Sequence, residues 1–265
     1  MTNKPLMGVA AAVLIIAAGS WYLLHGRRAG PAPAPAAALR TAPTAPVESG
    51  IAHPLPDGAA AGVDKTPLPA LNESDASINE ALAQLAGASA VADYLIPDSL
   101  IRHLVVTIDN LPRQKVAVQK RPTRPVPGAF EAEGDELRAS IDPQNYARYQ
   151  PMVAVIRKLD TQKLAALYIR FYPLFQQSYQ DLGYPTGYFN DRLVKVIDLL
   201  LDSPQPQAPI ELVRPNVMYT YADPALEALP AGQKLLIRMG PDNAAVIKAK
   251  LMELRAVIAA APLRR

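Results

Sequence analysis

Cysteine is absent from this chain of 265 residues, and histidine occurs only at His25, His53 and His103. The absence of cysteine excludes disulfide scaffolds, thiol nucleophiles, iron–sulfur clusters and cysteine-based zinc sites. His103 is the only histidine of the C-terminal region, so no second imidazole is available there to complete a metal site. We therefore expect neither a metal nor a cofactor in this protein.

An excess of charge of one sign is also lacking in the C-terminal region. Residues 71–265 contain 22 basic and 21 acidic side chains, a difference of +1. A domain that binds nucleic acid normally carries a basic patch or stripe, and this balance does not provide one. We therefore expect no nucleic-acid partner.

A long hydrophobic run is present near the N-terminus, where residues 5–24 include no charged side chain. A helix of 20 residues spans roughly 30 Å, the thickness of the hydrocarbon core of a bilayer. Trp21 and Tyr22 close the run, and Arg27 and Arg28 follow it, as interfacial aromatic and cationic residues do. The hydrophobic region of a cleavable signal peptide is usually shorter. We predict an uncleaved inner-membrane anchor within residues 1–28.

Two features of the sequence point to opposite orientations of this anchor. Lys4 precedes the run, whereas Arg27, Arg28 and Arg40 follow it, so the positive-inside rule favours a cytoplasmic C-terminal region. Long C-terminal domains can nevertheless be translocated despite modest local charge. We expect a periplasmic domain, and a cytoplasmic domain that docks on an inner-membrane complex is the alternative.

Residues 29–70 have the composition of a linker. They include 9 prolines and 13 alanines among 42 positions, with few large apolar side chains. Such a segment cannot bury enough apolar surface to offset the entropy of ordering it, and its prolines favour an extended chain. We expect a disordered spacer, with a proline-rich ligand for an aromatic groove as the alternative.

Residues 71–265 have the pattern of a mainly α-helical, irregular globular domain, because many short amphipathic segments are separated by proline and glycine. Apolar residues cover most of a predicted helix from about Asp160 to Leu182, which we expect at the centre of the fold, with a kink at Pro173. Short β-like alternations at Ile210–Arg214 and Val217–Tyr221 predict a small hairpin.

Four stretches of this region resemble one bacterial protein family. They are Val105–Pro112, Tyr172–Asn190, Tyr221–Glu227 and Lys234–Asn243. Together they resemble the uncharacterised family known as domain of unknown function 3014, over approximately residues 66–262. The resemblance implies a bacterial envelope protein with an N-terminal membrane segment, and it implies no activity, cofactor or catalytic residue.

The glycine- and aromatic-rich stretch Gly183–Asn190 is the best candidate for a functional surface. Recognition residues are often carried by loops that a rigid scaffold displays. The candidate residues of a sugar- or peptide-binding surface are Tyr184, Tyr188, Phe189, Asn190 and Arg148. The alternative is a tyrosine-rich core, which the helical spacing of the aromatic residues before this stretch favours.

Two other groups of residues have a functional and a structural interpretation. Six carboxylates could include an acid and a base for glycan cleavage, although several lie where helix caps are expected: Asp109, Asp191, Asp198, Asp223, Glu227 and Asp242. Five cations between Arg113 and Arg124 indicate either a solvated loop, neutralised by the acidic residues that follow, or an arm for an anionic partner.

From the sequence we therefore expect a single-pass envelope protein that binds a protein or a cell-wall component and has no enzymatic activity. The alternative is a glycan-directed hydrolase, or an accessory factor, that uses Asp or Glu residues. The sequence gives no indication of an oligomeric state.

Overall fold

The computed structural model describes residues 50–55, 66–135, 138–215 and 218–259. The predicted membrane anchor, residues 5–24, and most of the predicted linker lie outside these ranges. Within the described ranges, no helix combines the length and the hydropathy that crossing a membrane requires.

The described residues form a mainly helical domain, as the sequence predicts. The helices are, in chain order, α1 (Asp75–Ala86), α2 (Ala88–Tyr94), α3 (Leu100–Asn110), α4 (Gln144–Ala147), α5 (Gln150–Arg157), α6 (Thr161–Asp181), α7 (Phe189–Leu201), α8 (Pro224–Glu227), α9 (Ala231–Met239) and α10 (Pro241–Ile258). Short 3₁₀ turns occur at Leu71–Glu73 and Val118–Lys120.

Helix α6 is the centre of the fold. It begins where the Asp160 side chain accepts hydrogen bonds from the backbone N–H groups of Gln162 and Lys163, which would otherwise be unpaired. It continues through Pro173 to Asp181 and packs against α1, α3, α7 and α10. The prediction of a central helix is confirmed, and its bounds agree with the predicted ones to within one residue.

The main hydrophobic core is built from the facing sides of these helices. Its largest fully buried side chains include Ile78, Leu82, Leu100, Ile101, Phe171, Phe189 and Ile197. They come from four helices, α1, α3, α6 and α7, and α10 adds Ile247, Leu251 and Ile258. The core therefore joins residues that are distant in the sequence.

A small antiparallel sheet lies beside the helices. Its strands are β1 (Ala132–Gly134), β2 (Ala139–Ile141), β3 (Glu211–Val213) and β4 (Thr220–Tyr221), in the order β1-β2-β3-β4. The predicted hairpin is confirmed as β3 and β4, in which Leu212 pairs with Tyr221. The sequence did not predict β1 and β2, which extend the hairpin to four strands.

The cationic stretch from Arg113 to Arg124 is more structured than a solvated loop. Arg113 pairs with Asp109, four residues earlier, rather than with the acidic residues that follow the stretch. Thr123 is fully buried and forms an isolated β-bridge with Leu95. The prediction of a solvated loop is therefore wrong for the part near Thr123, which packs along the end of α2.

Candidate functional site

The turn between α6 and α7, residues 182–188, is held in one conformation by the side chain of Gln176. The amide of Gln176 donates from Nε2 to the carbonyl oxygen of Gly187 at 2.7 Å. Its Oε1 accepts from the backbone N–H of Phe189 at 2.8 Å and from the hydroxyl of Tyr172 at 2.9 Å. One amide thus connects the turn to the helices on both sides of it.

Two glycines make this turn sterically feasible. Gly183 has φ = +112°, a conformation that side-chain-bearing residues rarely adopt, and it follows the last residues of α6. At Gly187, a Cβ atom would lie 2.7 Å from a ring carbon of Tyr179 and 3.0 Å from Cβ of Tyr184. The close approach at Gly187 brings the turn down onto the aromatic side chains of α6.

Tyr184 is displayed at the surface of this turn. Its ring stacks on that of Tyr179 with 4.5 Å between the centroids and 18° between the planes. Its hydroxyl lies 3.4 Å from Oδ2 of Asp109, and the residue is 36% exposed. Burial raises the pKa of Tyr179 to about 12, so the supporting phenol stays neutral at physiological pH. The ring of Tyr184 is therefore exposed and also fixed.

Phe189 and Asn190 lie inside the fold and not on its surface. Phe189 is fully buried, with its ring parallel to that of Phe175 at 5.7 Å. Asn190 is also fully buried, and its Oδ1 accepts from the hydroxyl of Tyr168 at 3.0 Å. Its Nδ2 donates to the carbonyl oxygens of Ile258 and His53. Both side chains stabilise the start of α7, as the alternative of a tyrosine-rich core predicts for this region.

Burial also accounts for the other tyrosine pKa changes near this site. Desolvation raises the pKa of Tyr168 well above its ordinary value, and the nearby Tyr172 and Tyr188 add to the effect. The pKa of Tyr172 is raised as well, first by burial and then by its hydrogen bond with Tyr188. The raised pKa values keep the hydroxyls of Tyr168 and Tyr172 protonated near neutral pH, so neither acts as a base there.

Side chains at the end of the turn and at the start of α7 form hydrogen bonds with an N-terminal segment of the chain, residues 50–55, which we name the strap. Asp191 accepts from the backbone N–H of Ala52 at 3.0 Å and from that of His53 at 2.6 Å. The hydroxyl of Tyr188 accepts from the backbone N–H of Leu55 at 3.2 Å. We name the three side chains that bond the strap, Tyr188, Asn190 and Asp191, the clasp.

A buried carboxylate lies on the other side of the turn. Asp109, near the end of α3, has only 3% of its side chain exposed. Arg113 Nη2 lies 2.7 Å from its Oδ2, and Arg192 Nη2 lies 3.1 Å from its Oδ1. Arg192 also donates to the backbone carbonyl oxygen of Asp109 at 2.6 Å. Two arginines and one carboxylate thus tie α3 to α7 directly beside Tyr184.

Arg148, the remaining candidate, belongs to a different part of the domain. Its guanidinium donates to the carbonyl oxygens of Pro127 and Gly128 and to Oδ1 of Asn145. These groups lie near strand β1 and helix α4. These contacts give Arg148 a role in holding that loop, and they do not bring it to Tyr184.

Five of the six carboxylates considered as an acid and a base make structural contacts, whereas Asp242 lies in the first turn of α10 and does not cap it, because the cap residue is Gly240. Asp198 pairs with Arg255, Asp223 caps α8, and Glu227 pairs with Lys234. Asp109 and Asp191 are engaged as described above. Among the described residues, no group of three or more His, Asp or Glu side chains is placed to hold a metal ion.

A model of the family described as Protein of unknown function (DUF3014) matches residues 100–255, more than half of the chain. The chain belongs to the DUF3014 family. The matched region begins at the first residue of α3 and ends within α10, so it includes the turn and the clasp, whereas the strap lies before it. No curated protein and no solved structure matches the chain. The DUF3014 assignment supports the resemblance recognised from the sequence.

Sequence reasoning did not find three elements of this site. These are the side chain of Gln176, the pairing of Asp109 with Arg192, and the strap, which lies within the predicted spacer. Proline and glycine around the turn were the only local signals, and they indicated a turn without showing what holds it.

Proposed function

We propose that this DUF3014 protein is a single-pass inner-membrane protein whose helical domain lies in the periplasm and acts by binding a protein partner. The observation that carries the proposal is the fixed turn that displays Leu182 and Tyr184 at the surface, 38% and 36% exposed. The predicted anchor at residues 5–24 supports the membrane location, since its length and flanking residues suit a bilayer span.

Two exposed apolar side chains lie close together in the sequence of this turn. Five large apolar residues are exposed among those the structure describes: Ile51, Leu182, Tyr184, Val213 and Met252. Leu182 and Tyr184 both belong to the turn, and we name these two residues the turn surface. Apolar residues grouped in this way are typical of interaction sites, whereas singly scattered ones are normal.

The chemistry beside the turn surface favours a protein partner over a polysaccharide. Tyrosine and arginine are enriched at protein interfaces, and Arg113 lies next to Tyr184 through their shared contact with Asp109. The ring of Tyr184 already uses one face to stack on Tyr179, so it offers its other face and edge. A rigid aromatic side chain loses little conformational entropy when a partner binds.

Site-specific photocrosslinking tests this proposal in the native host. A crosslinking amino acid at Tyr184 should give a discrete adduct with one protein, and Leu182→Ser should reduce the yield of that adduct several-fold. The matched control places the same amino acid at Met252, which is more exposed than Tyr184 (52% against 36%) but lies on α10, and it should give no such adduct. Adducts of equal yield at both positions, or cell-wall fragments attached at Tyr184, would contradict a protein-binding role.

The hydrolase alternative is separated from binding by the double variant Asp223→Asn, Asp242→Asn, which leaves the clasp and Asp109 unchanged. If either carboxylate were an acid or a base, the variant should lose function while it keeps its fold. A binding domain should retain the Tyr184 adduct once circular dichroism shows the fold intact.

Membrane location and orientation need their own measurement. The full chain should remain in the membrane fraction after an alkaline wash. A C-terminal alkaline phosphatase fusion should be active, and a C-terminal green fluorescent protein fusion should be dark. Bright fluorescence together with silent phosphatase would show a cytoplasmic domain.

A further inference from the structure

The ion cluster beside Tyr184 contains one more positive charge than negative charge. Arg113 and Arg192 both contact Asp109, and among the described residues no other carboxylate pairs with either guanidinium. The neighbouring Asp191 is engaged elsewhere, since its oxygens accept from backbone N–H groups of the strap. One carboxylate thus pairs with two guanidinium groups, and a surplus positive charge lies next to an exposed aromatic ring.

Arg113 has hydrogen-bonding capacity that Asp109 does not use. A guanidinium carries five N–H donors in a fixed fork. The Arg113 side chain is 56% exposed, and within the described part of the chain its one side-chain hydrogen bond joins Nη2 to Oδ2 of Asp109. Asp109 does not saturate Arg192 either, because the buried Nε of Arg192 has no hydrogen-bond partner among the described residues. The remaining donors of Arg113 are therefore available to an acceptor from another molecule.

A single oxygen atom of Asp109 positions both Arg113 and Tyr184. Its Oδ2 lies 2.7 Å from Nη2 of Arg113 and 3.4 Å from the hydroxyl of Tyr184. The Asp109 side chain is almost completely buried, so this oxygen is a fixed point of the fold. The guanidinium and the phenol are therefore held side by side, and both side chains are accessible from solvent.

We propose that the turn recognises its protein partner through an acidic side chain, whose carboxylate pairs with Arg113 while an apolar side chain next to it covers the ring of Tyr184. This recognition rests on the protein-binding function proposed above and adds the chemistry of the partner. A neutral partner that covered Arg113 would remove water from a charge without a compensating bond. A basic partner would be repelled by the surplus positive charge. The site therefore selects Asp or Glu beside an apolar residue.

The same features favour a carboxylate over a phosphate group. Nε and Nη1 of Arg113 make no hydrogen bond to the described residues, and a guanidinium matches the two oxygens of a carboxylate in a bidentate pair. The surplus of one positive charge balances one carboxylate, whereas a phosphate group carries a charge of about −1.5 to −2 at neutral pH. Residues 71–265 have a charge difference of only +1, so no broad basic surface supports a polyanion.

The crosslink from position 184 tests the role of Arg113 in the native host. With the photoreactive amino acid at Tyr184, Arg113→Gln should lower the adduct yield about tenfold, because the partner's carboxylate loses its cation. Arg113→Lys keeps the charge but not the fork, so it should lower the yield less. The matched control is Arg124→Gln, which removes an equal charge from the exposed Arg124, bonded to the carbonyl oxygen of Ala92. That control should leave the yield unchanged.

A direct probe of Arg113 requires neither the partner nor a variant. In the full chain in detergent micelles, the NMR resonance of the Arg113 Nε–H should shift when the peptide N-acetyl-leucyl-glutamic acid amide is added. The matched peptide N-acetyl-leucyl-glutamine amide has nearly the same shape without the charge, and it should cause no shift. Inorganic phosphate should cause a smaller shift than the glutamic acid peptide.

The outcomes separate this recognition from the proposed function. Equal shifts with the two peptides, including no shift with either, or a larger shift with phosphate, would overturn the recognition of an acidic side chain. An adduct yield that Arg113→Gln leaves unchanged, in a variant that urea denaturation shows to be folded, would refute it as well and leave the protein-binding function intact. A shift with the glutamic acid peptide alone, in a chain that gives no adduct at Tyr184, would refute the proposed function alone.

Discussion

At the scale of single residues, Asp109 is the buried charge on which the turn depends most. It accepts from Arg113 and Tyr184, and it faces Arg192 across the contact between α3 and α7. Removal of one partner from a buried ion pair costs more than the pair contributes, since the remaining charge stays poorly solvated.

We expect Asp109→Ala to lower the free energy of unfolding by about 2–4 kcal/mol, measured by urea denaturation. The matched control is Asp181→Ala, which removes the partner of Arg102 from a pair that is substantially exposed on both sides. That substitution should cost less than about 1 kcal/mol. Equal losses in the two variants would show that Asp109 is not the critical carboxylate.

A second prediction at this scale concerns His103 and the pH dependence of the free energy of unfolding. Desolvation lowers the pKa of His103 below 6.5, and the nearby charge of Lys120 acts in the same direction. The unfolded chain therefore binds a proton more readily than the folded chain between the folded pKa and about 6.5. This contribution to stability is fully present above pH 6.5 and is lost as the pH falls toward the folded value.

We expect the free energy of unfolding to decrease as the pH falls below about 6.5, and we expect His103→Gln to flatten that part of the curve. Urea denaturation at several pH values measures the slope, and NMR titration of the His103 ring measures its pKa directly. A His103 pKa above 6.5, or an unchanged slope in the variant, would contradict this account.

At the scale of structural elements, the turn after α6 depends on the close approach at Gly187. A Cβ atom there would lie 2.7 Å from a carbon of the Tyr179 ring, on which the ring of Tyr184 stacks. We expect Gly187→Ala to push Tyr184 off Tyr179, and to destabilise the domain by about 1–3 kcal/mol. The matched control is Gly87→Ala, because Gly87 has a positive φ but no atom near its Cβ position.

The two glycine variants should differ in the yield of the crosslink from position 184 as well as in stability. Gly187→Ala should change the environment of Tyr184 and reduce the yield of the crosslink from that position. Gly87→Ala should leave the crosslink intact, although its backbone conformation costs some stability. A full crosslink yield in Gly187→Ala would show that the turn tolerates the added methyl group.

The elements that the sequence predicted are those with a repeating pattern. Helix α6 repeats apolar residues over 21 positions, and β3 and β4 alternate around a turn. Strands β1 and β2 are three residues each. In β1 Glu133 and Gly134 are both exposed, so no alternation marks it, and the alternation of β2 is too short to predict a strand. Their pairing with β3 follows from tertiary contacts, which a local pattern does not contain.

The candidate site was only partly predictable for a related reason. Glycine, proline and aromatic residues in one short stretch predict the turn and a surface role for Tyr184. The sequence does not predict the strap, because it is held through its backbone and its composition is that of a spacer. Phe189 and Asn190 were grouped with the surface because they are next to it in the sequence, yet the first turn of α7 directs both side chains into the core.

At the scale of the whole molecule, the region that the family model matches and the region that folds are not the same. The match covers residues 100–255, but the main core also contains Ile78 and Leu82 of α1, which are 1% and 2% exposed. Ile258, which is fully buried, lies beyond the other end of the match. A protein of residues 100–255 would therefore lack α1, which packs on α3 and α6, and would lack the end of α10.

We expect residues 66–265 to unfold cooperatively in urea, and residues 100–255 to form no cooperative structure. Full burial of a large aliphatic side chain contributes about 1.5–3 kcal/mol, so loss of Ile78, Leu82 and Ile258 removes a large part of a typical domain's stability. Of the described residues that pack on the main core, removal of residues 1–65 deletes one, the half-buried Leu55. The free energy of unfolding of residues 66–265 should therefore be lower by no more than about 2 kcal/mol than that of a protein that begins at Gly50. Cooperative unfolding of residues 100–255 would show that α1 packs on a core that is already complete.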